Sequence, residues 1–75
     1  HADGERQMET FIRNYPDHPR AATAYFELAS LFYQQKNYNK AIAYFSKTQF
    51  RLLTPEQQNT GHFRWAYSLF SQKKL

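Results

Sequence analysis

The sequence predicts an all-α chain of antiparallel helix-turn-helix repeats, about four helices in all. Three observations lead there. Over Ala24–Phe45 two apolar stripes, Tyr25/Leu28/Ala29/Phe32 and Tyr38/Ala41/Ile42/Phe45, fall at i, i+3, i+4 and i+7, which is one face of an α-helix. Between them Gln34–Asn37 supplies only a short polar break, so the two helices must pack antiparallel as a hairpin. A shift of 37 residues then lays small residues over small and large over large, and a fixed period in this range marks a helical solenoid.

The first helix is expected over Asp3–Asn14. Met8, Phe11, Ile12 and Tyr15 form its stripe, and its acidic residues cluster early, where the helix dipole favours them. Pro16 ends it, because the residue before a proline is pushed out of the helical region. In the turn that follows, Asp17 or His18 is placed to cap and Pro19 suits a first helical turn. The second helix is expected over Arg20–Gln35 and the third over Tyr38–Leu52. The small residues inside their stripes set Ala29 opposite Ala41 or nearby, so the axes approach closely. Thr54-Pro55-Glu56-Gln57 reads as a helix start with a capping box. The fourth helix is expected from Pro55 to about Lys73, continuous through Gly61 at a cost of up to about 1 kcal/mol relative to Ala.

Under the 37-residue shift Tyr25, Leu28, Ala29 and Phe32 land on His62, Trp65, Ala66 and Leu69, while Gly4 and Met8 land on Ala41 and Phe45. The chain therefore divides into the second helix of a preceding repeat with its junction (1–19), one complete repeat (20–54) and the first helix of a following repeat (55–75). A solenoid unit cannot bury its apolar face alone. The stripe of Trp65, Leu69 and neighbours is thus expected to need a cover, from a longer array or by self-association through that end, exchange of helices between copies included.

Composition narrows the functional classes. At 75 residues the chain makes at most one small domain, and 41% hydrophobic with 19% aromatic residues argues against disorder. No apolar run approaches the roughly 20 residues needed to span a bilayer. The absence of cysteine excludes disulfides and thiolate zinc sites. His1, His18 and His62 lack ligand-spaced partners, with His62 expected to pack in the core. The serines lack a nucleophile elbow, and two isolated glycines cannot form a phosphate loop. No catalytic site, metal or cofactor is expected. Charge is uneven: residues 1–35 hold three arginines against five carboxylates, and residues 36–75 hold seven lysines and arginines against Glu56. A basic half attracts acidic partners or nucleic acid, or is simply a solvated helical face.

At Tyr25, Leu28, Ala29 and Phe32, followed by Tyr38, Ala41 and Phe45, the sequence resembles the tetratricopeptide repeat, a helix-turn-helix unit. The resemblance covers Ala22–Thr48 well and 61–75 moderately, with Trp65 and His62 departing from the pattern. The segment Phe11–Pro19, with its Tyr15-Pro16-Asp17-His18-Pro19 junction, is similar to that of bacterial envelope members of the family, outer-membrane assembly lipoproteins and cell-division coordinators among them. That similarity implies a periplasmic or outer-membrane-associated setting.

The resemblance implies that the first helix of each repeat lines a concave, protein-binding surface. The residues flanking the core stripe there are Thr23, Phe26, Glu27, Ser30, Tyr33 and Gln34, and, 37 residues on, Thr60, Phe63, Arg64, Tyr67, Phe70 and Ser71. Of these, Phe26, Ser30, Tyr33, Gln34, Phe63, Arg64, Tyr67 and Phe70 are the expected peptide-binding residues. Such an aromatic face suits an extended peptide or an amphipathic helix. Phe26 and Phe63 are equally readable as core between repeats, whereas Tyr33 and Tyr67 are expected to be exposed. The clamp with which some members grip C-terminal carboxylates is missing, since Phe26, Ser30 and Gln34 stand at its places. Tight binding of acidic chaperone tails is therefore not expected. The alternative partner is nucleic acid, read by the basic 36–75 half. Against it, Lys40, Lys47 and Arg51 fall on the second helix of the hairpin, away from the aromatic face.

Overall fold

The computed structural model of the protein describes residues 2–72. They form four α-helices: α1 (Ala2–Asn14), α2 (Pro19–Gln34), α3 (Tyr38–Lys47) and α4 (Pro55–Ser71), with a 3-10 turn at Phe50–Leu52 before α4. No described residue is in a strand.

Each boundary has a local cause. Beyond α1, the Tyr15 N–H still donates to the Phe11 carbonyl at 2.8 Å before Pro16 turns the chain away. His18 is the residue that caps α2, its Nδ1 accepting from the Arg20 N–H at 3.0 Å, and Pro19 starts the helix. The α2–α3 turn is a Schellman motif: the Lys36 N–H donates to the Tyr33 carbonyl and the Asn37 N–H to that of Phe32. Lys36 takes the left-handed position at φ 62°, and the Asn37 side chain then caps α3. At α4 the capping box between Thr54 and Gln57 is complete in both directions.

The third helix is shorter than its apolar pattern suggests, ending at Lys47 instead of Leu52. Thr48 is the reason: it leaves helical geometry at ψ 129°, and its hydroxyl donates to the Tyr44 carbonyl at 2.8 Å. The break sends Phe50 and Arg51 into the 3-10 turn, so Arg51 does not extend α3. Helix α4 runs unbroken through Gly61 and ends at Ser71; Lys73, placed at its end by the sequence, lies outside the described residues.

The hairpin α2–α3 is the centre of the fold. Leu28, Ala29, Ala41 and Phe45 are fully buried, with Phe32 nearly so, and Ile12, Met8 and Trp65 extend this core towards α1 and α4. Helix α4 approaches through two small residues, Gly61 and Ser68, both buried. A Cβ on Gly61 would stand 2.7 Å from the Phe50 ring and 3.2 Å from that of Phe26. The Ser68 hydroxyl satisfies itself by donating to the Arg64 carbonyl at 2.7 Å. Helix α1 is fixed to the hairpin by apolar contact and by two polar links, Tyr44 OH donating to Glu9 at 3.2 Å and Gln35 Nε2 to Glu5 at 3.4 Å.

Tyr15 does not follow the stripe of α1 into the core. It is 56% exposed and packs with Phe11 and His18 at the junction. His62 also departs from expectation. It is exposed, lying flat against Phe50 at 4.2 Å, because no helix covers that side of α4 among the described residues.

Candidate functional site

The eight side chains singled out along α2 and α4 fall into three settings. Phe26, Ser30, Gln34 and Arg64 line one groove, together with Met8, Glu27 and Leu31, about 330 Å³ in volume. It runs over α2 from α1 to α4. Phe26 forms its inner wall, half-buried and edge-on to Phe45 at 6.4 Å, so it serves packing and groove at once. Ser30 is buried, and its hydroxyl has no hydrogen-bond partner. Gln34 is exposed at the rim.

The second setting is aromatic. Tyr33, Tyr38 and Tyr67 meet edge to face in a triangle with centroid separations of 5.9–6.0 Å. Tyr33 is thereby half-buried, although an exposed ring was expected. The Arg64 guanidinium lies 5.5 Å from the Tyr33 centroid, a cation–π contact that holds the charge at the groove edge. Tyr67 carries the face outward by stacking on Phe63 at 6.4 Å.

Phe70 is the third setting, one helical step beyond. Phe63, Tyr67 and Phe70 stand at i, i+4 and i+7 and are 66%, 45% and 66% exposed, a continuous aromatic strip on α4. The apolar surface left open at this end is this strip with Ala66. Trp65 and Leu69, expected to be its exposed members, are half-buried. Trp65 is drawn in beside Phe50, their rings nearly parallel at 5.8 Å.

Three groove or ridge residues escaped the sequence reading. The apolar periodicity places Met8 and Tyr38 in core stripes and Leu31 in none. Tyr38 alone carried a signal: a five-residue separation across a tight turn brings it back beside Tyr33.

The cations of α3 lie elsewhere. The Lys40 ammonium sits 5.2 Å from the Phe32 ring, and Lys47 lines a separate cleft with Glu9, Ile12, Arg13, Tyr25 and Tyr44. Only Arg64 among the lining residues brings positive charge to the groove, opposite Glu27. Among the described residues no three His, Cys, Asp or Glu side chains gather as a metal site, and no helix is long and apolar enough to cross a membrane.

Stacked antiparallel helix pairs with small residues at the contacts and an open aromatic face define an α-solenoid repeat protein. The family model described as tetratricopeptide repeat matches residues 1–52, and the chain belongs to that family. The match spans α1 to the 3-10 turn and stops short of α4. Comparison with curated proteins and with solved structures gave no match. Repeats of this family generally act as non-catalytic scaffolds that mediate protein–protein interaction.

Proposed function

We propose that this chain is a binding scaffold without chemistry of its own, taking a peptide or helix of a partner protein along the groove and aromatic strip of α2 and α4. The observation that carries the reading is Ser30. An enclosed hydroxyl without a partner is a cost of about 1–3 kcal/mol, and Ser30 lines the groove, so that a side-chain rotation towards the groove would let a bound backbone satisfy it. Around it lie apolar walls from Met8, Phe26 and Leu31 and one cation, Arg64. Such a combination suits a largely apolar segment with an acceptor at its centre.

We further take residues 20–54 as one whole repeat, with 1–19 closing the preceding repeat and 55–75 opening the next. In support, α2 and α4 end 37 residues apart, at Gln34 and Ser71. We also take the open side of α4 to admit a second copy of the chain.

The test begins with peptides selected from a displayed random library, titrated into the isotope-labelled chain. Amide shifts should cluster at 26–34 and 63–70, and the affinity should vary little with salt. Ser30→Ala should weaken the complex while stabilising the free fold by about 1 kcal/mol, because it removes an unsatisfied group. Should the shifts instead follow an oligouridine titration, centre on Lys40, Lys47 and Arg51 and vanish with salt, the nucleic-acid alternative would replace this reading.

A further inference from the structure

Two surfaces of this fold are open in ways that answer each other. The first is the outer side of α4. Ala29 is fully buried beneath α3, yet Ala66, its counterpart 37 residues on, is exposed. His62, the counterpart of Tyr25, is likewise exposed. The second is at α1. Ala41 and Phe45 are fully buried against α2, whereas their counterparts Gly4 and Met8 are exposed and half-buried. A Cβ built on Gly4 meets nothing within 4 Å. Beside Gly4 runs a groove of about 670 Å³ between α1 and α2, with Met8, Phe11 and Ala24 as its apolar lining.

The repeat relation proposed above says which helix belongs there. Helix α2 lies against both α3 and α4. Shifted back by one repeat, α3 and α4 become α1 and α2, and the position of α2 itself becomes the open groove. The helix whose side chains correspond to α2 is α4. We infer that copies of this chain associate head to tail, α4 of one copy lying along the α1–α2 groove of the next, with Ala66 packed against Gly4 and Met8. One contact then closes both open surfaces, as α2 and α3 close each other within the chain.

The repeat register selects this arrangement over pairing of two α4 helices, because the α1–α2 groove stands where the face of α2 corresponding to that of α4 packs within the chain. The charge of the two halves adds to it. Residues 1–35 hold three arginines against five carboxylates, and residues 36–75 hold seven lysines and arginines against one carboxylate. Head-to-tail contact brings unlike halves together at long range; α4 itself carries only Glu56 and Arg64, so its direct pairing is not opposed by charge. The interface is heterologous, so it need not close at a dimer.

The experiment uses sedimentation equilibrium on the chain and two variants at exposed positions, Gly4→Arg and Ala66→Glu, after circular dichroism has shown that both keep the helical content of the wild type. The wild-type mass should climb with concentration past the dimer, and added salt should move that rise to higher concentration. Each variant alone should stay monomeric, its dissociation constant raised more than about tenfold by a charge left unpaired in the contact. An equimolar mixture should give a dimer that grows no further, since Gly4→Arg retains a working α4 and Ala66→Glu a working groove. A monomeric wild type, a monomeric mixture, or a Gly4→Arg chain that still assembles would each overturn the inference. None of these outcomes decides the peptide-binding reading, which is tested separately at Ser30, Phe26 and Arg64. Met8 and the α4 strip beside Ala66 are shared by the two surfaces, so a bound peptide should compete with the assembly.

Discussion

Single residues decide how the hairpin turns and how α1 stays attached. Lys36 occupies a left-handed backbone position at φ 62°, where a side chain costs about 1–2 kcal/mol and glycine nothing. Lys36→Gly should therefore stabilise the fold by about 0.5–1 kcal/mol after the greater freedom of glycine in the unfolded chain is deducted, read as a higher urea midpoint at unchanged slope. Tyr44 ties α3 to α1 through Glu9, and burial, followed by the Glu9 carboxylate that accepts its hydrogen bond, raises its pKa above the ordinary 10.0. In the unfolded chain the phenol ionises at its ordinary value, so the contribution is complete below about pH 10 and is lost as pH rises through the folded value. The stability gap between wild type and Tyr44→Phe should hold constant from neutral pH and shrink above about pH 10. A gap independent of pH would show that the hydrogen bond to Glu9 contributes nothing. Neither feature was visible beforehand. Lys36 lies in an unremarkable polar run, and the Tyr44–Glu9 pair joins residues 35 apart.

The elements were more legible, because helix signals are local. Proline placement, the Thr54–Gln57 capping box and the 3.6-residue stripes are written within a few residues of where they act. The one element whose extent differs substantially from the sequence expectation is α3, expected to Leu52 and ending at Lys47. Thr48 competes for the Tyr44 carbonyl and ends the helix, a local hydrogen bond that periodicity does not register. The α2–α3 contact makes the sharpest prediction at this scale. Ala29 and Ala41 are fully buried in one core cluster, so Ala29→Leu or Ala41→Leu should overpack the helix interface and cost about 1–3 kcal/mol. Negligible losses at both positions in thermal unfolding would mean that the helices are not held together there.

For the whole molecule, α2 is the element on which the others depend, since it packs against α1, α3, the 3-10 turn and α4. Local opening should thus be rarest in α2. Amides of Leu28, Ala29 and Phe32 should show the slowest native-state exchange, close to global unfolding, while those of α1 exchange through partial detachment. Equal protection across all four helices would indicate one cooperative unit in place of a chain of neighbour contacts. The candidate site belongs to this scale too. Its residues come from α1, α2 and α4, and the triangle of Tyr33, Tyr38 and Tyr67 needs three helices to exist.

The sequence by itself determined the all-α class, the turn that starts α2 and the capping box that starts α4, the antiparallel hairpin and the resemblance to the tetratricopeptide repeat. Each depends on residues close together along the chain or recurring at a fixed period. What only the tertiary structure decided was exposure. Phe26 and Phe63 are counterparts on equivalent helices, yet Phe26 is half-buried beneath α4 and Phe63 stands two-thirds in solvent. Ala29 and Ala66 divide in the same way. A repeating pattern specifies which face of each helix is apolar; whether a neighbour covers that face depends on packing between segments far apart in the chain.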